Sequence, residues 1–171
     1  MNSIISFVAL RSVARRAVDL PELNILFFAF LLHFSWEMLQ VPLYAELPGA
    51  THWEGIRTCL HATLGDVGIA LVAFWCGALV GRSRQWFRWR NRTAFWVYVG
   101  LGLVATLVLE RVATGSSQRW LYAPAMPIVP LLDVGLSPIL QWLLLPPLAL
   151  WITRRQLQPG AHKSRCLEPG P

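Results

Sequence analysis

Four long apolar runs, separated by short arginine clusters, limit what this chain can fold into more than any other feature of its sequence. Each run is about long enough to cross a ~30 Å hydrocarbon layer as a helix. The runs cover residues 25–44, 60–80, 94–113 and 128–153. The pattern predicts an all-α polytopic membrane protein, folded as a four-helix transmembrane bundle. The last run holds four prolines, so we expect a kinked or tilted span there.

The composition supports lipid as the solvent of this chain. Hydrophobic residues make up 55% of it and charged residues 14%, whereas an ordinary soluble protein is about half apolar and about a quarter charged. Nine tryptophans add to this indication, because an indole ring favours the boundary between water and hydrocarbon.

The basic residues predict the orientation of the spans. Twelve of the fifteen lie before run 1, between runs 2 and 3, or after run 4, and the other three are Arg57, Arg111 and Arg119. By the positive-inside rule, both termini are expected in the cytoplasm, with the loops at residues 46–57 and 114–127 outside. We therefore expect a multi-pass protein of the cell membrane, which is the inner membrane in a bacterium. The position of these charges explains the net charge of +6 without nucleic acid as a partner.

The segments that flank the spans carry weaker signals. Residues 1–20 place arginines after a very short apolar stretch, which favours an amphipathic interfacial helix over a secretory signal peptide. The absence of acidic residues before Asp19 keeps the mitochondrial inner membrane as a minor alternative. Residues 21–155 form the expected transmembrane domain, and residues 156–171 are expected to be a disordered cytoplasmic tail.

Two features of the middle of the chain have simple structural interpretations. Residues 82–92, RSRQWFRWRNR, interleave arginine with aromatic residues and are expected to form a basic and aromatic belt at the cytoplasmic surface. The glycines of the second run are expected at close contacts between helices. They are Gly65, Gly68, Gly77 and Gly81.

Run 1 contains polar residues that a lipid-facing helix would not tolerate. His33, Glu37, Gln40 and Tyr44 are spaced four, three and four residues apart, so they share one helical face, which Trp36 flanks. An acidic side chain in the middle of the membrane costs about 3 kcal/mol even on the lenient insertion scale. This face should therefore point into the bundle.

The other three runs carry polar residues at a similar depth. With the expected orientation, Glu37, Asp66, Glu110 and Asp133 all fall in the outer third of the membrane, one on each helix. This placement predicts a polar pocket that opens toward the outer face, with an aromatic rim of Trp53, Trp120 and Tyr122. Further polar residues on the same runs are His61, Ser137 and Gln141.

Intramembrane ionisable residues are functional candidates by default. We expect Glu37 and Asp66 to act as catalytic acid and base and His33 as their proton partner. The remaining candidates are expected to bind substrate: Trp36, Gln40, His61, Glu110, Trp120, Tyr122, Asp133 and Gln141. The sequence does not identify a cofactor. An alternative is a metal ion held by His33, Glu37, His61 and Asp66, but this signal is weak because no spacing such as E-x-x-H or H-E-x-x-H occurs.

The His33–Glu37 step resembles, over this one helix, a small membrane fold that includes the sterol isomerases, in which a buried histidine and acids shift protons on a lipid. Asp66 and the proline-rich last run follow no pattern of that fold. What the resemblance implies is that proton-transfer chemistry on a lipid is physically reasonable for this helix.

Three interpretations of the polar residues remain open at the level of sequence. The first is proton transfer on a lipid-like or other hydrophobic small molecule. The second is a non-enzymatic module, either a proton- or cation-linked carrier that acts as a homo-oligomer or an accessory subunit of a larger membrane complex. The third is structural, since polar side chains also fasten helices through hydrogen bonds worth about 0.6–2 kcal/mol each.

Overall fold

The computed structural model describes residues 19–45, 49–88, 91–116 and 119–158, and this part of the chain is mostly helical. The elements in chain order are α1 (Pro21–Gln40), a 3₁₀ turn (Val41–Leu43), α2 (His52–Val80), α3 (Arg92–Arg111), a π turn (Val112–Ser116), β1 (Ile128–Val129), β2 (Val134–Gly135) and α4 (Leu136–Gln156). The expected interfacial helix within residues 1–20 and the tail beyond residue 158 fall almost entirely outside the described residues.

The first three helices each begin at a residue that suits the start of a helix. Pro21 opens α1, where its fixed φ suits a first turn and its missing N–H costs nothing. Thr51 and Glu54 form a capping box at the start of α2. The Asn91 side chain accepts a hydrogen bond from the Ala94 N–H and caps α3. The Thr51 cap lies well before the predicted start of run 2, so α2 is a 29-residue helix.

All four helices are long and apolar enough to cross a membrane. They pack in a closed ring, in which α1 contacts α2 and α4, and α3 contacts the same two helices. Large apolar side chains point away from the ring, among them Leu39 at 78% and Leu79 at 76% exposure. Apolar exposure on this scale is what a lipid-facing surface requires.

The two ends of the ring differ in character. The end that carries the α1–α2 and α3–α4 connections is called the hairpin end here, and the end that carries residues 81–91 is called the arginine end. At the hairpin end the two connections pair with each other, because the Ala45 N–H donates to the Leu121 carbonyl and the Ala123 N–H donates to the Leu43 carbonyl, both at 2.9 Å. The two loops therefore form one cover.

The fourth helix begins later than the apolar run predicted. Residues 128–135 form a short antiparallel hairpin in which Ile128 faces Gly135 and Val129 faces Val134. Pro130 lies in its turn, and Asp133 adopts a left-handed backbone with φ of 56°. The prediction of a span from residue 128 was thus wrong by eight residues, because apolar content alone does not separate a buried hairpin from a helix. Pro146 and Pro147 lie inside α4.

In the described part of the arginine-rich connection, residues 81–88, the aromatic side chains are buried and do not form the expected surface belt, and Trp89 lies outside the described residues. Trp86 is 1% exposed, its Nε1 donates to the Phe74 carbonyl at 3.2 Å, and Phe87 is buried beside it. A Cβ on Gly77 would lie 2.9 Å from the Trp86 ring, and one on Gly81 would lie 2.7 Å from the Trp86 Cβ. These two glycines make room for an indole from the connection and also for the close approach of Ala94 at the start of α3, as the predicted contacts between helices require.

Gly65 and Gly68 depart from their expected role. A Cβ on either of them would meet no atom within 4 Å, and both residues are exposed. They lie on a face of α2 that contacts no other described helix closely. The expected close packing at these two positions was therefore wrong.

Candidate functional site

A cluster of seven polar and aromatic side chains joins α1, α2 and α4 near the hairpin end, and it is called the polar cluster here. Helix α1 contributes one face to it, as predicted from the spacing of four residues between His33 and Glu37 and three between Glu37 and Gln40. The members are His33, Trp36, Glu37, Gln40, Asp66, Ser137 and Gln141.

The Gln141 side chain is the centre of this cluster. Its Nε2 lies 3.0 Å from Glu37 Oε1 and 2.9 Å from Asp66 Oδ2, and these two oxygens accept its two hydrogens. His33 Nδ1 lies 3.1 Å from the same Asp66 oxygen. With a proton on Nδ1, His33 donates to Asp66, so the same Asp66 oxygen accepts from both the imidazole and the Gln141 amide.

Hydrogen bonds continue from Glu37 toward the other members of the cluster. Gln40 Nε2 donates to Glu37 Oε1 at 2.9 Å, and the Ser137 hydroxyl donates to Gln40 Oε1 at 2.7 Å. Trp36 Nε1 in turn donates to the Ser137 oxygen at 3.2 Å. The chain of bonds crosses between α1 and α4 twice, so each member holds the orientation of its neighbour.

His33 is the most deeply buried ionisable member of the cluster, at 1% exposure. Its ring lies against the Trp142 indole, with ring centroids 5.2 Å apart. Its second nitrogen, Nε2, is buried and meets no hydrogen-bond partner among the described residues. Gly102 of α3 makes room for Trp142, since a Cβ there would lie 2.0 Å from that ring.

Glu110 forms a second polar group next to the first. Its carboxylate accepts hydrogen bonds from the Tyr122 hydroxyl and, at 3.4 Å, from Trp120 Nε1. Tyr44 packs on Tyr122 with ring centroids 5.7 Å apart and also interacts with Glu110. Glu110 lies within electrostatic range of Glu37. We call Tyr44, Glu110, Trp120 and Tyr122 the Glu110 group.

The tyrosines of the Glu110 group lie in the connections, outside the four helices. Burial raises the pKa of Tyr122 well above its usual range, and its hydrogen bond to the Glu110 carboxylate raises it further. Burial likewise raises the pKa of Tyr44, with the charge of Glu110 as the next cause. Both phenols therefore remain hydrogen-bond donors at neutral pH.

A cavity of about 710 Å³ opens at the hairpin end, and Tyr122 forms part of its wall. This volume falls in the range of about 300–1,000 Å³ that is typical of small-molecule sites. The cavity is also lined by Arg111, Met126 and Asp133, but not by Glu37 or Asp66. Tyr122 and its partner Glu110 thus lie between the open cavity and the polar cluster.

Three candidates from the sequence do not join either group. The Asp133 side chain is 77% exposed and pairs with Arg111 at 3.4 Å, because it belongs to the hairpin turn and not to α4. His61 is exposed, since five residues along α2 turn it about 140° away from Asp66. Trp53 is exposed as well. Asp133, His61 and Trp53 therefore lie outside the polar cluster and the Glu110 group, although Asp133 lines the cavity.

The described residues contain no group of three or more histidine, cysteine, aspartate or glutamate side chains placed to hold a metal ion. His33, Glu37 and Asp66 come together, but the Gln141 amide occupies the space among their polar atoms. The metal alternative therefore gains no support from this geometry.

Two residues that shape the site escaped the sequence analysis. Trp142 lies under His33, and Gly102 opposite it permits that position. The only sequence signal was a glycine in mid-helix, a residue that often marks a close approach between elements. Nothing in the sequence indicated which large side chain would fill that space.

No protein-family model matches this sequence, and comparisons with curated proteins and with solved structures find no match. The functional argument therefore depends on the site itself.

Proposed function

We propose that this chain is a transmembrane four-helix bundle that carries out proton transfer on a lipid-like or other hydrophobic small molecule. Glu37 and Asp66 serve as the acid and base, and His33 is their proton partner. Both termini face the cytoplasm and the hairpin end faces outside, as the arginine distribution indicates.

The observation that carries this proposal is the contact of one amide with two carboxylates. Gln141 Nε2 holds Glu37 and Asp66 at 3.0 and 2.9 Å, and His33 completes the group at 3.1 Å from Asp66. Glu37 and Asp66 are only partly buried, so each keeps some exposed surface toward a ligand. His33 and Asp66 are in direct hydrogen-bond contact and the Gln141 amide holds Glu37 beside them, so one carboxyl group can give a proton to a bound substrate while the other accepts one.

Toward the arginine end the described residues bury no charged side chain, which favours chemistry at this site over proton or cation transport. Below His33 the packing consists of Ala29, Val67, Ala70 and Trp142. Among the described residues, no acidic or basic side chain is buried between that layer and the arginine end. A carrier needs polar groups across the whole membrane, whereas a catalytic site needs access from one side or from the lipid.

The Glu110 group supplies a route for protons from the open cavity. Tyr122 lines the cavity and donates to Glu110, which lies within electrostatic range of Glu37. In this proposal, protons enter the polar cluster from the cavity by way of Glu110 and not from the arginine end.

The proposal is tested by lipid profiles of cells that carry defined variants. Glu37→Gln and Asp66→Asn keep the size and much of the hydrogen bonding of the native side chains, but an amide cannot act as an acid or a base near neutral pH. We expect both variants to give the lipid profile of a deletion strain, measured by mass spectrometry, while the protein still assembles in the membrane.

Glu54→Gln is the matched control, since it removes an acid at the same end of the molecule that lines neither the cavity nor the polar cluster, and glutamine can still close the capping box. It should restore the wild-type profile. If Glu37→Gln and Asp66→Asn also restore it, the two carboxylates have no chemical role and the proposal fails.

A further inference from the structure

A second groove lies at the arginine end, whereas the polar cluster lies near the hairpin end. It has a volume of about 280 Å³ and runs between the start of α3 and the last turns of α4. Arg92 and Arg154 line it together with the apolar side chains Phe95, Leu150 and Trp151.

The two arginines of the groove have neither an acidic partner nor a hydrogen bond to the protein among the described residues, unlike Arg84 and Arg88. Arg84 pairs with Glu22 at 2.7 Å, and Arg88 donates to the Leu157 carbonyl at 2.9 Å. No such contact joins Arg92 or Arg154 to the protein within the described ranges. Two positive charges on adjacent helices therefore face one groove without a counter-charge from the fold.

The order of side chains along the groove matches a lipid molecule. Arg92 is the first residue of α3, and Arg154 lies in the last turn of α4, so both charges lie at the water boundary of their spans. Phe95 and Leu150 lie about one turn deeper on the same two helices. The lining thus changes from cationic to apolar in the direction that leads into hydrocarbon.

We propose that this groove binds an acidic phospholipid, with the phosphate between Arg92 and Arg154 and the upper acyl chain on Phe95 and Leu150. Arginine binds phosphate oxygens through two parallel N–H donors, and basic pockets between transmembrane helices suit anionic headgroups. Trp151, which Arg155 stacks on at 4.7 Å, closes the side of the groove at the headgroup level. This inference rests on the membrane location of the chain and not on its proposed chemistry.

The test compares lipid binding by native mass spectrometry of protein extracted in mild detergent. The wild-type chain is titrated with phosphatidylglycerol and with phosphatidylcholine, and we expect the acidic lipid to bind about tenfold more tightly or better. The double variant Arg92→Gln/Arg154→Gln should lose this preference. Equal binding of the two lipids by the wild-type chain overturns the proposal, whether or not the variant folds.

The control variant is Arg82→Gln/Arg84→Gln, which removes two exposed charges from the same end without removing a residue that lines the groove. It should keep the preference for the acidic lipid, and loss of the preference in this variant would show only a general effect of charge. Glycerol phosphate is the competitor that tests the acyl contacts. If it displaces the lipid at equal concentration, the apolar lining plays no part and the lipid proposal is wrong.

The Arg92→Gln/Arg154→Gln variant also separates this inference from the proposed function. Loss of lipid preference with an unchanged cellular lipid profile supports the groove independently of proton transfer. A changed profile in Glu37→Gln with normal lipid binding supports the polar cluster independently of the groove.

Discussion

His33 Nδ1 lies 3.1 Å from Asp66 Oδ2, although the two residues are 33 positions apart and belong to different helices. Gln141, from a third helix, lies within hydrogen-bond distance of both. This contact turns three isolated polar residues in apolar runs into a single buried network. Each member removes the desolvation cost of another, so the network specifies how α1, α2 and α4 pack.

Replacement of Gln141 by Leu is expected to destabilise the fold. The variant removes the amide that bonds both Glu37 and Asp66, and an unsatisfied buried polar group costs about 1–3 kcal/mol. Thermal unfolding in detergent measures the effect, with Leu143→Ala on the exposed face of α4 as the control. A midpoint for Gln141→Leu no lower than that of the control would contradict the network.

Gly102→Ala should displace the Trp142 ring, which packs against His33. The added Cβ would lie 2.0 Å from the Trp142 ring, and overpacking of this kind costs about 1–3 kcal/mol. Gly100→Ala on the same helix meets no atom within 4 Å and should be neutral or stabilising by about 0.5–1 kcal/mol. The two unfolding midpoints should therefore move in opposite directions or differ clearly, and equal midpoints would exclude the tight contact.

Trp86→Ala is expected to be among the most destabilising substitutions at the arginine end. Removal of a fully buried indole leaves a large void, and such changes cost about 3–5 kcal/mol. Trp96→Ala, which removes an exposed indole, is the matched control. Similar losses of thermal stability for both variants would show that Trp86 does not fill the interior.

Tyr122→Phe should change how stability depends on pH. Burial and the Glu110 hydrogen bond raise the pKa of Tyr122, so the folded chain keeps this proton at pH values where the unfolded phenol, with a pKa of about 10, has lost it. Stability contributed by this phenol is complete below about pH 10 and declines as the pH rises further. The wild-type unfolding midpoint should fall more steeply between about pH 9 and about pH 11 than that of the variant. Parallel curves would show that Tyr122 ionises freely.

The orientation is checked by labelling single cysteines in a chain whose three native cysteines are replaced. Leu131→Cys lies in the exposed hairpin turn, and Gln85→Cys lies exposed in the arginine-rich connection. A maleimide that cannot cross membranes should label the first in intact cells and the second only after the membrane is opened. The reverse pattern would place the arginine end outside.

The sequence alone determined that this chain forms four long apolar helices and which face of α1 points inward. Both follow from the pattern within a single segment. The length of an apolar run must match the membrane thickness, and steps of four and three residues place His33, Glu37 and Gln40 on one side of a helix. The depth of Asp66 and Glu110 could likewise be read from their positions along the spans.

Only the tertiary structure decided how these residues meet. Gln141 lies between Glu37 and Asp66, Trp142 lies under His33, and Trp86 returns from the connection into the interior. The hairpin at residues 128–135 removes Asp133 from the site, and the rotation of α2 turns His61 outward. Such outcomes depend on which helices are neighbours and on the space each glycine leaves, and a periodic pattern within one helix carries no information about either.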